Sequence, residues 1–166
     1  MNYELKKRVV TAEKALEKLQ LLCSRAEKCS GDAITLLRRW EVDSDKIDGI
    51  IESLKKDRYI DDSRYAAAYV RDKMNYSGWG ERKIEQSLRM KGVEKAIISE
   101  AIHSTISKDS MRQKLNTLLN KKLKEIEKKE TDKFKARAKL FNFAASRGFD
   151  FDDIKSQIDR LESIED

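Results

Sequence analysis

The chain has 166 residues, of which 40% are charged, 39% are hydrophobic and none is proline. This composition argues against full disorder and against a membrane-spanning segment, and it favours helices with narrow apolar stripes and broad solvated faces. The net charge of +6 and the pI near 9.2 favour a polyanionic partner, such as nucleic acid or a nucleoprotein.

The N-terminal stretch MNYELKKRVVTAEKALEKLQ contains charges throughout and lacks the apolar segment of a signal peptide. We therefore expect a cytoplasmic protein with no membrane partner. The two cysteines, Cys23 and Cys29, lack the paired spacing of a zinc site, and His103 is the only histidine. Reduced thiols are expected, with Cys23 packed in a core. No metal or other cofactor is predicted.

Apolar residues recur at intervals of three and four along most of the chain, which is the period of a helix surface. The pattern predicts an all-α fold built from three tandem three-helix repeats. We place an N-terminal extension and the first repeat at residues 1–60, the second repeat at 61–106 and the third at 107–166. In chain order, the stripes include Ala15, Leu19, Leu37, Ile47, Ile50, Ile51, Leu54, Tyr65, Ile84, Leu88, Ile98, Ile102, Leu115, Leu119, Ile154 and Ile158.

The three units can be superimposed in sequence, which supports a degenerate tandem repeat. A shift of 51 residues carries apolar positions of the first unit onto those of the second: Leu37, Val42, Ile47 and Ile51 become Leu88, Val93, Ile98 and Ile102. A shift of 56 then carries Gly92, Val93, Ile98 and Ile102 onto Gly148, Phe149, Ile154 and Ile158.

Glycine followed by an apolar residue is typical of a helix end that folds back on its last turn through a left-handed residue. The segments LRMKGV and AASRGF fit this motif, with Gly92 and Gly148 in the left-handed position. Glu41 takes the equivalent place in the first unit, so we expect a different cap there.

Two adjacent aspartates, Asp61 and Asp62, precede the first helix of the second unit. We interpret Asp61 as the N-cap, Asp62 as a charge favoured by the helix dipole, and Ile60 with Tyr65 as a hydrophobic staple. The segments SDKID (44–48) and DFDD (150–153) also indicate helix starts. Because no second acidic or histidine cluster converges on the pair, we expect no enzyme activity.

Basic residues in the second unit form two pairs at seven-residue spacing, Arg64 with Arg71 and Arg82 with Arg89. Helical geometry turns the second pair away from its apolar stripe, so we expect both pairs to be free for a partner, although a merely solvated face fits equally well. Trp79, between two glycines, is expected in a turn, partly exposed and available for contact. Residues 107–148 carry thirteen Lys or Arg against five Asp or Glu, while 149–166 carry two against seven.

The segments DRYIDDSRYAAAYVRDK and GERKIEQSLRMKGV resemble the central signature of RecX, the bacterial regulator of the RecA recombinase, and RGFDFDDIKSQI extends the match more weakly. The resemblance implies three tandem three-helix repeats in an elongated, curved arrangement without catalysis. It also implies binding in the groove of the RecA filament on single-stranded DNA, with inhibition of recombinase, ATPase and co-protease activities. Glu41 and the lysine-rich NKKLKEIEKKE depart from the family pattern.

The second unit supplies the residues that we predict to contact the partner or DNA: Arg64, Arg71, Lys73, Trp79, Arg82, Lys83, Arg89 and Lys91. A monomer is expected, and direct binding to DNA stays open. The alternative is a DNA-binding regulator that uses its three-helix units as helix-turn-helix modules. The third helix of the second unit carries Glu94, Lys95 and Glu100, and that of the third unit is acidic, which disfavours sequence-specific readout.

Overall fold

A computed structural model of the protein describes the backbone of residues 10–165 and the side chains of residues 10–161. The regular structure in this range is entirely helical, which confirms the all-α prediction. The first unit contains α1 (Ala12–Arg25), α2 (Ser30–Arg39) and α3 (Ser44–Lys56), the second α4 (Asp62–Asn75), α5 (Glu81–Met90) and α6 (Lys95–Thr105), and the third α7 (Lys108–Glu127), α8 (Lys133–Ser146) and α9 (Phe151–Glu165). No helix among the described residues is long and apolar enough to cross a lipid bilayer.

Side-chain caps begin several of these helices. The Asp61 carboxylate accepts a hydrogen bond of 2.9 Å from the backbone N–H of Arg64, so the capping interpretation is confirmed. The predicted staple is wrong: Ile60 and Tyr65 are both buried, but Ile60 packs in the core of the first unit and Tyr65 in that of the second. The connection between the two units separates these side chains, because it carries the chain from one core to the other.

The connection between the second and third helices of a unit, which we call the joint, has one geometry in all three units. Gly92 and Gly148 have φ values of 75° and 83°, and Glu41 has a φ of 58°. In each joint the next residue donates its N–H to the carbonyl five residues earlier, as Val42 does to Leu37 at 3.1 Å. The different cap expected at Glu41 is therefore wrong.

Burial of the residue that follows explains why a side chain is tolerated in the Glu41 joint. Val42 is 7% exposed, like Val93 in the second unit and Phe149 in the third at 5% and 2%. Anchoring this apolar side chain holds the joint in place and outweighs the roughly 1–2 kcal/mol by which a left-handed conformation disfavours a residue with a Cβ.

The buried side chains form two separate cores. One lies within the first unit and includes Ala15, Leu19, Leu37, Val42, Ile50 and Leu54. The other runs without a break through the second and third units and includes Val70, Ile84, Leu88, Ile98, Leu115, Leu119, Leu140, Phe149 and Ile154. Cys29 is the one buried residue of the first unit that belongs to this larger core, among the residues that the structure describes.

Candidate partner-binding surface

The loop between α4 and α5, residues 76–80, is held by backbone hydrogen bonds to the end of α4 and to the third unit. The N–H of Trp79 donates to the carbonyl of Lys73 at 3.0 Å, and the N–H of Gly80 donates to the carbonyl of Arg147 at 2.8 Å. Gly78 adopts a left-handed φ of 61°, and the segment GWG lies in the loop outside both helices. This arrangement holds the Trp79 side chain half-buried at the boundary of the second and third units.

Two lysines flank the ring of Trp79. The Nζ atoms of Lys73 and Lys83 lie 4.9 Å and 4.8 Å from the ring centroid, and the Lys73 ammonium also lies 5.2 Å from the ring of Tyr69. The Nζ of Lys83 donates to the carbonyl of Ser146 at 3.1 Å. We call Lys73, Trp79 and Lys83 the tryptophan clamp. It presents two oriented cations beside an aromatic surface, which suits an anionic partner.

The same pairing of a cation with an aromatic ring continues onto the third unit. The Arg82 guanidinium lies 4.7 Å from the ring of Phe151, and that of Arg147 lies 4.7 Å from the ring of Phe143. Arg147 also donates to the carbonyl of Ser77 at 2.8 Å, which ties it to the loop that carries Trp79. We call the tryptophan clamp together with Arg82, Phe143 and Arg147 the aromatic–basic surface.

Phe143 and Arg147 were missed by the sequence-based prediction, which confined the contact residues to the second unit. A signal for Arg147 existed, because the shift of 56 residues that superimposes the units places it on Lys91, one of the predicted residues. Phe143 lies four residues before Arg147, so it shares a helix face with that residue, and its other cation contact is Lys122 of α7 in the same unit.

Arg64 and Lys91 lie at the junction of the first and second units. The Nε of Arg64 is 2.7 Å from the Glu27 carboxylate, which raises the pKa of the guanidinium. The Nζ of Lys91 is 3.1 Å from the Asp32 carboxylate. Burial on its own lowers the pKa of Lys91, but hydrogen bonds with Asp32 and Tyr65 raise it above its ordinary value. Both residues hold the two units together.

Arg71 and Arg89 complete the predicted set. Arg89 is exposed and forms an ion pair of 2.7 Å with Glu85 one turn earlier on α5. Arg71 is exposed and has no polar partner among the described side chains. The expectation that both arginine pairs are free is therefore wrong for Arg64, Arg82 and Arg89. For Arg64 and Arg82 the partner comes from another unit, which the geometry of their own helix does not report. For Arg89 the partner is an acidic residue four positions earlier on the same helix.

The described residues contain no group of three or more His, Cys, Asp or Glu side chains arranged to hold a metal ion. His103 is exposed, with its Nδ1 2.8 Å from the carbonyl of Ser99. Cys23 and Cys29 are free, and burial raises the pKa of both thiols, which disfavours the reactive thiolate.

Two parts of the chain match models of known protein domains. Residues 61–102 match the second three-helix domain of RecX and residues 110–158 match the third. The chain belongs to the RecX family. Regulatory protein RecX of Clostridium botulinum (strain Eklund 17B / Type B) is 37% identical over 116 residues, which cover 70% of this chain and 53% of the relative. Regulatory protein RecX of Clostridium tetani is 30% identical over 148 residues, which cover 81% and 67%. The chain thus spans from about half to two thirds of the length of these relatives.

Solved RecX structures share the fold. The crystal structure of RecX from Lactobacillus salivarius has a TM-score of 0.78 and 24% identity, covering 91% of this chain and 96% of that one. Another, described as a crystal structure of regulatory protein RecX, has a TM-score of 0.81 and 22% identity, and the match covers 89% of this chain and 73% of that chain. The RecX resemblance seen in the central signature is confirmed, and with it the all-α fold of three-helix domains.

Proposed function

We propose that this RecX protein is a regulator that binds the RecA filament on single-stranded DNA and inhibits its recombinase, ATPase and co-protease activities in the cytoplasm. The observation that carries the proposal is the tryptophan clamp, in which Lys73 and Lys83 flank Trp79 at the boundary of two units. Membership of the RecX family, whose named members are regulatory proteins, supplies the class of partner.

The aromatic–basic surface has chemistry that suits a nucleoprotein. Cations contribute to association with phosphates, and aromatic rings offer faces to nucleobases or to arginine side chains of a protein. A tandem array of small helical units exposes a large surface per residue, and such a surface can bridge neighbouring subunits of a filament. We retain the division into residues 1–60, 61–106 and 107–166 as the units that do so.

The predicted contact residues take different parts in this proposal. Lys73, Trp79, Arg82 and Lys83 form the direct contact, and the exposed Arg71 adds to it from α4. Arg64 and Lys91 act as positioning residues, because their ion pairs fix the first unit against the second. Arg89 contributes through its charge near the edge of the surface.

Titration of RecA-dependent ATP hydrolysis tests the contact. We expect Lys73→Gln/Lys83→Gln to raise the concentration needed for half-inhibition by about tenfold or more and to make its salt dependence shallower, since fewer cations remain to be screened. Arg82→Glu/Arg89→Glu should act in the same direction. The matched control is Lys124→Gln/Lys128→Gln, which removes the same charge from exposed positions at the end of α7 and its C-cap, and circular dichroism verifies folding.

Sedimentation separates the filament from bare DNA as the target. Binding to RecA filaments well above binding to naked single-stranded DNA supports the proposal. Equal binding to both, or a preference for a particular DNA sequence, would favour the alternative of a helix-turn-helix DNA-binding regulator. Full inhibition by a folded Lys73→Gln/Lys83→Gln protein would remove the clamp from the contact and leave the third unit to be tested.

A further inference from the structure

The loop that carries Trp79 rests on the third unit. Gly78 is buried in this loop, and a Cβ added to it would stand 3.3 Å from the Leu118 side chain of α7 and 3.4 Å from the Arg147 guanidinium. The carbonyl of Ser77 accepts the hydrogen bond of 2.8 Å from Arg147. The position of Trp79 therefore depends on contacts that its own unit does not supply alone.

The helix that follows the loop is capped from the third unit. Gly80 is the N-cap of α5 and has no side chain that could accept from the free N–H groups at the start of the helix. The carbonyl of Arg147 accepts from the N–H of Gly80 at 2.8 Å, and the carbonyl of Gly148 accepts from the N–H of Arg82 at 3.1 Å. These bonds also satisfy carbonyls that the end of α8 would otherwise leave free. Two helix ends from different units thus complete each other.

Side chains cross the same boundary in both directions. The Nζ of Lys83 donates to the carbonyl of Ser146 at 3.1 Å, where its charge also lies at the negative end of the α8 dipole. In the other direction, Arg147 donates to Ser77. Ser77 precedes Trp79 in the chain and Lys83 follows it. Trp79 therefore lies between two points at which the second unit is tied to α8.

The Arg147 guanidinium is itself held in one orientation. It lies 4.7 Å from the ring of Phe143, one turn earlier on α8, while it donates to the Ser77 carbonyl. Arg147 is half-buried, whereas Arg71 of α4 is exposed. A planar group fixed by a ring and a carbonyl has few orientations left for a partner outside the molecule. The arrangement suits a side chain that positions other groups.

The equivalent residue of the second unit is used in the same way. Lys91 is the C-cap of α5, as Arg147 is of α8, and the shift of 56 residues places one on the other. The Nζ of Lys91 donates to Asp32 of the preceding unit at 3.1 Å. In both cases a cation after the middle helix of one unit bonds to the preceding unit, at the start of its middle helix or in the loop before that helix. Since Lys91 fixes one unit against another, the repeat supports the same part for Arg147.

We infer that Arg147 is a positioning residue of the tryptophan clamp. Its guanidinium holds the 76–80 loop through the Ser77 carbonyl, and its backbone carbonyl holds the start of α5, so that Trp79 is kept between the two lysines of the clamp. The third unit thus orients the contact surface of the second, and this side chain does not itself bind the partner. The inference rests on the proposed function, because it explains how the clamp is held in place for the filament.

Fluorescence of Trp79 in the free protein tests the positioning. Trp40→Phe leaves Trp79 as the only tryptophan of the chain, and the spectra are recorded without RecA or DNA. In this background, Arg147→Ala should shift the emission to longer wavelength and increase quenching by acrylamide, because the loop loses its support. Arg112→Ala is the matched control and should change neither, since the partner of Arg112 is Asp153 of the same unit, 3.2 Å away.

Phe143→Leu disturbs the guanidinium without changing any charge. Leucine keeps an apolar side chain on α8 but removes the ring beside Arg147, so Trp79 should show a smaller change in the same direction. Circular dichroism verifies the helicity of every variant. If Arg147→Ala does not fold, Phe143→Leu decides the test. An unchanged Trp79 spectrum in the folded variant would overturn the inference.

Inhibition of RecA-dependent ATP hydrolysis tests the consequence for the contact. Arg147→Ala should raise the concentration needed for half-inhibition by about tenfold, the loss expected for a hydrogen bond to a charged group. Arg112→Ala should raise it by less than about twofold. In a double-mutant cycle, Arg147→Ala/Trp79→Ala should inhibit like Trp79→Ala alone, since Arg147 acts through that ring. Additive losses would overturn the inference, because they would show that Arg147 binds the partner itself.

The two measurements also distinguish a failure of the inference from a failure of the proposed function. A parent protein that does not inhibit RecA would overturn the proposed function, and the Trp79 spectra would still decide whether Arg147 positions the loop. A parent protein that inhibits RecA, with a Trp79 spectrum that Arg147→Ala leaves unchanged, would overturn the inference alone.

Discussion

The first junction, between the first and second units, and the second junction, between the second and third, both place the start of a middle helix against the joint of the following unit. They differ in what surrounds that contact. At the first, Asp62 accepts hydrogen bonds of 2.7 Å from both the N–H and the hydroxyl of Ser30, and Lys91 pairs with Asp32. Polar groups make most of this contact, and the first unit keeps its own core. At the second, the backbone contact lies on a core that continues from one unit into the next.

This difference predicts the order in which the units separate and unfold. A net contribution of about 1 kcal/mol per hydrogen bond makes a polar junction weaker than a continuous apolar core. The first unit should therefore separate in local opening events, while the second and third units unfold together. The tryptophan clamp lies on the more rigid junction, which keeps the geometry of the proposed contact fixed.

The largest expected effect comes from placing a methyl group in the second junction. A Cβ on Gly80 would lie 2.5 Å from backbone atoms of Gly148 and Phe149, although its φ of −81° suits any residue. Gly80→Ala should lower the free energy of unfolding of the second and third units by about 3 kcal/mol, because neither backbone can move without disturbing the shared core. Chemical denaturation followed by circular dichroism measures this loss.

The matched change at the first junction is Gly31→Ala. Alanine stabilises a helix by about 1 kcal/mol relative to glycine, so the substitution should not destabilise α2 itself. The clash of its Cβ with the Lys91 carbonyl should therefore weaken only the contact between the two units. We expect overall helicity to be kept and Cys29, which is fully buried, to become reactive toward a thiol reagent. Replacing Cys23 by serine leaves a single cysteine to follow. Equal losses of unfolding free energy in the two alanine variants would contradict the distinction between the junctions.

The helical periodicity predicted the units but not the contacts between them. The apolar spacing identifies which side of each helix faces a core, and the superposition of Gly92 on Gly148 identifies equivalent joints. Neither signal reports that the first core ends where the second begins. The failed pairing of Ile60 with Tyr65 has this origin, because a staple assumes that neighbouring residues serve one core.

The candidate site was predicted only in part, because the sequence patterns do not report contacts between units. Trp79 and its basic neighbours were identified from residue type and spacing within one unit. Phe151, the aromatic partner of Arg82, comes from a unit about sixty residues later, and the contact of the start of α5 with the joint at Gly148 brings the two close. Phe143 meets Arg147 and Lys122 within the third unit, which the prediction left out of the site. At Glu41 the prediction relied too much on local preference. Burial of Val42 stabilises the joint, so a residue with a Cβ is tolerated in the left-handed conformation there.

A second, smaller effect tests the joints. Gly92 has a φ of 75°, and an added Cβ would meet only the Cα of Gly31 at 3.6 Å. Gly92→Val should therefore lower the free energy of unfolding by about 2 kcal/mol through backbone strain alone. Gly92→Asn is the control, because asparagine tolerates the left-handed region better and should lose less than half as much. Equal losses in thermal unfolding of the two variants would show that strain is not the cause.

The smallest effects separate the two aspartates. Asp61→Ala removes the N-cap of α4 and should lower the free energy of unfolding of the second unit by about 1 kcal/mol. Asp62→Ala removes the acceptor for Ser30, and we expect the junction to weaken by about 1.5 kcal/mol while the second unit melts at nearly its original temperature. Thermal melting and the labelling rate of Cys29, each measured on both variants, distinguish these outcomes.

The Asp62 result can be assigned to one contact by a double-mutant cycle with Ser30→Ala. If the two hydrogen bonds hold the junction, the combined variant should label Cys29 little faster than Asp62→Ala alone, since the second change removes a contact already lost. Asp62→Asn retains a carbonyl acceptor and should fall between the parent and Asp62→Ala. Additive effects of the two alanine changes would mean that Asp62 acts instead through its ion pair with Lys55 of α3, 3.4 Å away, or through the dipole of α4.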